Sequence, residues 1–241
     1  MSSEQWCSQQ RINDLKQPIG PALDNWSPRP RPPRTTMSGR YCRVEPLQPQ
    51  HAGALFEAFG ADSDGRNWTY MPYGPFEDFD SFERWLQQQC QGEDPLFYCI
   101  IDNATDQPVG MASYLRIEPA VGVIEVGHIH FSPRLQRTAL ATETMYLMMR
   151  RVFDELGYRR YEWKCDSLNE PSRQAAKRLG FQFEGVFRQA TIYKGRNRDT
   201  AWFSILDSEW PRLKSAFEQW LAPQNFDANG EQQQRLQAFL D

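Results

Sequence analysis

Apolar and polar positions change period several times along the chain, and each change marks an element. RYCRVEPL, from Arg40, alternates as a short strand, and PQHAGALFEAFG then sets Ala52, Leu55, Phe56 and Phe59 on one helical stripe. Phe79, Phe82, Trp85 and Leu86 repeat that spacing in a second helix. Between the two lies WTYMPYGPF (68–76), an aromatic loop cut by proline and glycine. PLFYCIID (95–102) and VGMASYLRIEP (109–119) read as strands of a hairpin joined by TDQP. GVIEVGHIHF (122–131) is a further strand, with β-branched residues on both faces. Ala141, Met145, Met148, Val152 and Leu156 follow as the stripe of an amphipathic helix that Gly157 ends. YRRYEWKCD then alternates, with Tyr161, Trp163 and Cys165 on one face and Arg160, Glu162, Lys164 and Asp166 on the other. Strand, helix and strand with short joints form a βαβ unit, so these two strands are expected to run parallel with a right-handed crossover.

Asn169 caps the next helix and Gly180 closes it. FQFEGVFRQATIYK and DTAWFSIL give two more strands around the polar turn GRNRD, and 208–222 is helical. The order β-α-α-β-β-β-α-β-α-β-β describes one mixed α/β (α+β) domain over 38–222. The prolines of DNWSPRPRPPRTTMSG make 1–37 an extension lying on the surface. The glutamine-rich segment 223–241 is a loosely held tail.

Composition narrows the class. With 241 residues, 40% apolar and 24% charged, the chain has the balance of a soluble domain. A net charge of −4 argues against a general nucleic-acid binder, and no run approaches the roughly 18 apolar residues of a membrane span. The N-terminus lacks a signal-peptide apolar core. The five cysteines, Cys7, Cys42, Cys90, Cys99 and Cys165, are scattered without a C-x-x-C pair, which fits neither a disulfide framework nor a zinc site. A reduced, cytoplasmic protein without a metal is the simplest expectation.

The stretch FSPRLQRTALATETM (131–145) carries the chemistry. A helix starting there exposes amides without intrahelical partners and a partial positive charge, a seat for a phosphate. Thr138, Ala139, Ala141 and Thr142 are small enough to let an anion approach the backbone, and Gln136 and Arg137 can add donors. The turn also sits at the carboxyl end of a parallel strand, where α/β sheets bind ligands. An ordinary strand-to-helix turn would look similar. Gln136, Arg137, Thr138, Ala139, Leu140 and Ala141 resemble motif A of the GNAT N-acetyltransferase superfamily, (Q/R)-x-x-G-x-(G/A), with Ala139 where glycine is usual. N-E-P-S-R-Q-A-A-K-R-L-G-F-Q-F-E-G and R-D-T-A-W-F-S-I-L extend the resemblance over roughly 38–210 and look like the RimJ/RimL type.

That resemblance implies a central, mixed, splayed sheet of six or seven strands flanked by helices. It also implies an acetyl-coenzyme A whose pyrophosphate lies on the turn and whose thioester arm runs along Ile129, His130 and Phe131. Asn169 and Ser172 match the asparagine and serine that face the cofactor, and Ser172 is the candidate proton donor to the departing thiolate. Tyr193 is its rival. Glu125, His128 and His130 are candidate bases on one strand, in competition with a relayed water. A histidine is suited by its ordinary pKa, and a buried glutamate by the upward shift of burial. Each also reads as a satisfied structural side chain, and Glu125 as the partner of an arginine. Trp68, Tyr70, Tyr73 and Phe76 either contact the acceptor or pin their loop. Lys164, Arg173, Lys177 and Arg178 either reach the 3′-phosphate or face solvent. The tip Lys194–Asp199 is a charged turn or, less simply, a patch for acidic substrates.

The expected reaction is acetyl transfer to a primary amine, on a protein N-terminus or a small molecule, by direct attack, with the protein a monomer or homodimer. A non-catalytic acyl-coenzyme A sensor is the alternative, and an interaction protein whose turn binds nothing is the blandest.

Overall fold

The computed structural model describes residues 11–228 and 230–240. The expectation for Cys7 and the start of the extension fall outside them. β1 (Arg11–Ile12) and β2 (Pro18–Ile19) form a small hairpin of their own. The main sheet comprises β3 (Met37–Ser38), β4 (Cys42–Pro46), β5 (Leu96–Asp102), β6 (Gln107–Glu118), β7 (Val123–Phe131), β8 (Arg160–Asp166), β9 (Gln182–Tyr193) and β10 (Arg196–Leu206). Their order is β3-β4-β5-β6-β7-β8-β10-β9, and β7–β8 is the parallel pair in an otherwise antiparallel sheet. The sheet thus has eight strands where six or seven were expected. The addition is Met37–Ser38, too short for alternation to reveal, which pairs with Val44 and Arg43 and buries Met37.

Five helices cover the sheet: α1 (Ala52–Gly60), α2 (Phe79–Gln91), α3 (Ala139–Arg150), α4 (Glu170–Arg178) and α5 (Trp210–Leu221). The pleat sends alternate residues of β5 to two separate cores. Phe97, Cys99 and Ile101 pack with α1 and α2, whereas Leu96, Tyr98 and Ile100 join α3, α4 and α5 on the opposite face. β8 contributes Tyr161, Trp163 and Cys165 to the larger core, as its alternation predicts. Its other face holds an ionic cluster instead of a helix: Lys164 Nζ lies 2.9 Å from Glu125 and 2.7 Å from Glu162, and Arg160 bridges Glu162 and Glu184.

α3 departs from the amphipathic expectation, since every residue from Thr142 to Met149 is buried. A helix apolar around most of its circumference needs cover on the outside too. α5 and the N-terminal extension supply it. Carbonyls of the extension accept from the body: Tyr98 donates to Pro33 (2.9 Å) and Tyr158 to Pro30 (3.1 Å), while Arg151 donates to Thr35 (2.6 Å). The tail is anchored more firmly than its composition suggests, because Leu236 is buried against the core and the Trp220 indole donates to Gln232. No described helix is long and apolar enough to cross a membrane.

The buried Glu143 carboxylate on α3 accepts from the amides of Arg40, Tyr41 and Cys42 at 2.7, 2.6 and 2.9 Å. This clamp fixes the outer face of α3 to the start of β4. Glu143→Gln removes the charge and turns an NH2 group toward those donors. The expected loss is about 2 kcal/mol in urea unfolding. A change within about 0.5 kcal/mol would mean the clamp contributes little.

Candidate active site

β7 and β8 pair only from Val123–Arg160 to Val126–Trp163, although β7 runs on to Phe131 and β8 to Asp166. The cause lies on the other edge of β7. There the register with β6 slips between Ser113–Gly127 and Met111–His130, and His128 takes φ +50°. Such a bulge bends its strand and re-aims side chains. β8 meanwhile stays paired with β10 as far as Asp166–Thr200. Beyond Val126 the two central strands therefore part, leaving a gap lined by backbone.

The turn after β7 opens into this gap. Pro133 occupies the second position of a β-turn closed by the Leu135 amide on the Ser132 carbonyl (2.9 Å), and Leu135 is buried beneath it. Gln136 Nε2 donates to Phe131 O (2.8 Å), tying the loop to the strand end. Arg137, exposed and at φ +63°, turns the chain toward Thr138, whose extended backbone and hydroxyl cap the Ala141 amide (3.1 Å). The amides of Arg137, Thr138, Ala139 and Leu140 make no hydrogen bond among the described residues. An anion is the natural partner for such a convergence of N–H groups. Thr142 is turned away from the seat and accepts from Arg178 (3.1 Å).

On the α1–α2 face the strand presents both histidines to the aromatic loop. His128 Nδ1 lies 3.2 Å from the Tyr73 hydroxyl, with the rings stacked 5.6 Å apart. Burial first, then the nearby Arg116 and Arg198, lower the His128 pKa to about 4, so its ring is neutral at ordinary pH. His130 packs 3.8 Å from the Trp68 ring and 4.3 Å from Phe59, with Nε2 unpartnered, and burial lowers its pKa to about 3. Trp68, Tyr73 and Phe76 form one cluster with Trp85 and Phe82, beside an open cleft of about 350 Å³ walled by Phe59, Trp68 and Phe76. Tyr70 lies apart and donates to Leu168 O (3.1 Å). Glu125 is buried under two cations, Arg116 at 2.6 Å and Lys164 at 2.9 Å, and burial raises its pKa.

A family model described as an acetyltransferase (GNAT) domain matches residues 42–182. The chain belongs to the GNAT acetyltransferase family. It is similar to a GCN5-related N-acetyltransferase from Brucella melitensis, 50% identical over 91% of this chain and all of that one, with a TM-score of 0.89. A probable GNAT acetyltransferase from Chromobacterium violaceum is 44% identical over 81% of this chain and 98% of that one, with a TM-score of 0.75. An uncharacterized N-acetyltransferase p20 from Bacillus licheniformis is 28% identical over 61% of this chain and 84% of that protein. GNAT enzymes use acetyl-coenzyme A, and the seat and gap fit its diphosphate and its extended arm.

Across the gap of this GNAT domain stand the first residues of α4. The Asn169 side chain accepts from the Ser172 amide (3.2 Å), which fixes the cap. Ser172 Oγ accepts from the Trp163 indole (3.0 Å), and the Cys165 thiol lies beside it. The Tyr193 proton is committed, because its hydroxyl donates to Asp166 (2.8 Å) and its pKa rises to about 12, through burial first and Asp166 second. Burial also raises Cys165, keeping it a thiol. Of the candidate phosphate-binding cations, Lys164 is held in the ionic cluster, and Arg173 Nη1 reaches Ser167 O and Glu170.

Sequence reasoning missed the Tyr73–His128 contact, which the bulge creates, and the position of Arg198. The hairpin turn is two residues, Lys194 and Gly195, both at positive φ (49° and 69°), so β10 begins earlier than expected and Arg198 lies within it. Only the turn length, invisible in composition, could have signalled that.

The unfolded chain takes up a proton at His130 near pH 6.5 that the fold refuses until about 3. Stability is therefore full above that ordinary value and falls with pH between the two, by about 1.4 kcal/mol per pH unit for one such proton. His130→Phe should make the slope between about pH 7 and 5 shallower in urea titrations, leaving the part that His128 contributes. Equal slopes for both proteins would contradict the burial argument.

Proposed function

We propose that this protein transfers an acetyl group from acetyl-coenzyme A to a primary amine by direct attack in the gap between β7 and β8. The observation that carries the reading is the set of four unpaired amides, Arg137 to Leu140, at the mouth of a gap between parallel strands. Acetyl-coenzyme A supplies an activated acyl group. Thr138 to Leu140 hold its diphosphate, and the unpaired edge of β7 around Ile129 to Phe131 orders the arm and offers amides to the developing oxyanion. Neutral His128, on the bulge and oriented by Tyr73, receives the proton of the attacking nitrogen, directly or through one water. Its low pKa suits it to nitrogen that has already begun to bond to the acyl carbon and become acidic, rather than to a free ammonium. Glu125, neutralised by Arg116 and Lys164, holds the strand in place. Ser172 returns a proton to the departing sulfur. Trp68, Tyr73 and Phe76 line the acceptor side. Subtype follows from the RimJ/RimL-like segments at 169–185 and 198–206, with residues 38–222 as the transferase domain in a cytoplasmic setting.

Release of free thiol from acetyl-coenzyme A, measured with a panel of amines and peptides, tests this. His128→Gln and Ser172→Ala are each expected to lower kcat by about 10²-fold, the lower end for one acid–base group. Cofactor binding with no amine-dependent thiol release would instead leave an acyl-coenzyme A binding module.

The seat has its own test. Aspartate caps helices as well as threonine, so Thr138→Asp should keep α3 while placing a carboxylate against the diphosphate. Acetyl-coenzyme A affinity is expected to fall at least about tenfold by calorimetry, a loss of ~1.4 kcal/mol. Unchanged affinity would remove the phosphate seat.

A further inference from the structure

Three cationic residues crowd the β9–β10 tip, and two of them have evident work. Lys194 Nζ donates to Trp68 O (2.8 Å) and Arg196 Nη2 to Thr69 O (2.6 Å), bolting the aromatic loop to the hairpin. Arg198 has no such anchor. Its Nε reaches the Thr200 hydroxyl at 3.2 Å and its guanidinium lies 5.7 Å from the Tyr193 ring centre, on which Arg196 also sits at 5.1 Å. Among the described residues it has no ion pair, although it is half-buried.

The carboxylates around it are all committed. Asp166 accepts from the Leu168 amide (2.9 Å) and the Tyr193 hydroxyl (2.8 Å). Asp199 takes the Gln189 amide (2.7 Å) and the Asn197 side chain (3.0 Å), and Glu125 carries Arg116 and Lys164. Thr200 stands opposite Asp166, the last residue of β8, which places Arg198 at the open end of the gap. There its charge reaches the His128 ring. A half-buried guanidinium beside another, with only a hydroxyl and a ring for company, is left without the anion it is built to hold.

We propose that Arg198 is the specificity determinant of the acceptor site and binds a carboxylate carried by the amine substrate. The inference rests on the transferase reading above and narrows its acceptor to amines with an acidic group close to the nucleophilic nitrogen. Free amino acids and peptides with an acidic residue next to the N-terminus both offer that chemistry.

Two series of matched acceptors test it. One pairs each free amino acid with its carboxamide, and the other pairs short peptides carrying Glu or Gln at the second position. The carboxamide amine is the less basic and so the more abundant as free base, which sets intrinsic reactivity against the proposal. The carboxylate member of at least one series is nevertheless expected to show a kcat/KM at least about tenfold higher, mainly through KM. Whichever series shows the preference identifies the source of the carboxylate. Arg198→Gln should bring that ratio close to one and Arg198→Lys should restore part of it, with the coenzyme A dissociation constant serving as the check that both variants are folded. Equal use of charged and neutral acceptors by the wild type, or an unchanged ratio in Arg198→Gln, would overturn the assignment while leaving the transferase standing. If no amine releases thiol, calorimetry of the coenzyme A complex with the same pairs decides, and absence of any Arg198-dependent preference there overturns it equally.

Discussion

The parting of β7 from β8 after Val126 is the constraint on which the site depends. A continuous parallel ladder would satisfy the edge of β7 to its end and leave no room for a ligand. The bulge at His128 breaks it, at the cost of a positive φ at a residue with a β-carbon. One local distortion thus opens the gap, leaves backbone groups free along it and aims a histidine at the aromatic loop. Strain of this kind persists only where its surroundings over-determine it. Here they do, since His128 is held by Tyr73 and Phe97 while Glu125, three residues earlier, is pinned by two cations.

The two faces of the sheet divide the work. The larger core fixes α3 and α4, and with them the unpaired amides and Ser172. The smaller core of α1 and α2 supports the aromatic loop. The N-terminal extension serves the first face: its carbonyls receive Tyr98, Tyr158 and Arg151, and the residues that follow it grip Glu143, so α3 can be buried nearly all round without leaving polar groups stranded. The ionic cluster of Glu125, Lys164, Glu162 and Arg160 takes the place of a helix on the open half of the sheet.

Much of this was legible in the chain. Alternation placed Tyr161, Trp163 and Cys165 correctly, helical spacing located α1 to α3, the caps Asn169 and Gly180 located α4, and the βαβ rhythm foretold the parallel pair. The turn at Gln136–Ala141 was legible as the junction where a strand ends and the long helix begins on small residues. What stayed hidden was set by register and by long-range contact. A two-residue edge strand has no period to detect, and a glutamine-rich tail conceals the buried Leu236 that helps anchor it. Arg198 looked like part of a charged turn, because the strand expected from Asp199 begins three residues earlier, at Arg196. Glu125 reads in the sequence both as a base and as the partner of an arginine, and its place beneath Arg116 and Lys164 gives the partnering its geometry.

The most direct measurement is a crystal structure of the protein with coenzyme A. The account requires the diphosphate on the amides of Thr138 to Leu140 and the pantetheine arm between β7 and β8, with the sulfur within reach of both His128 and Ser172. A diphosphate bound elsewhere, or a β7–β8 gap filled by the protein's own side chains in the complex, would contradict it.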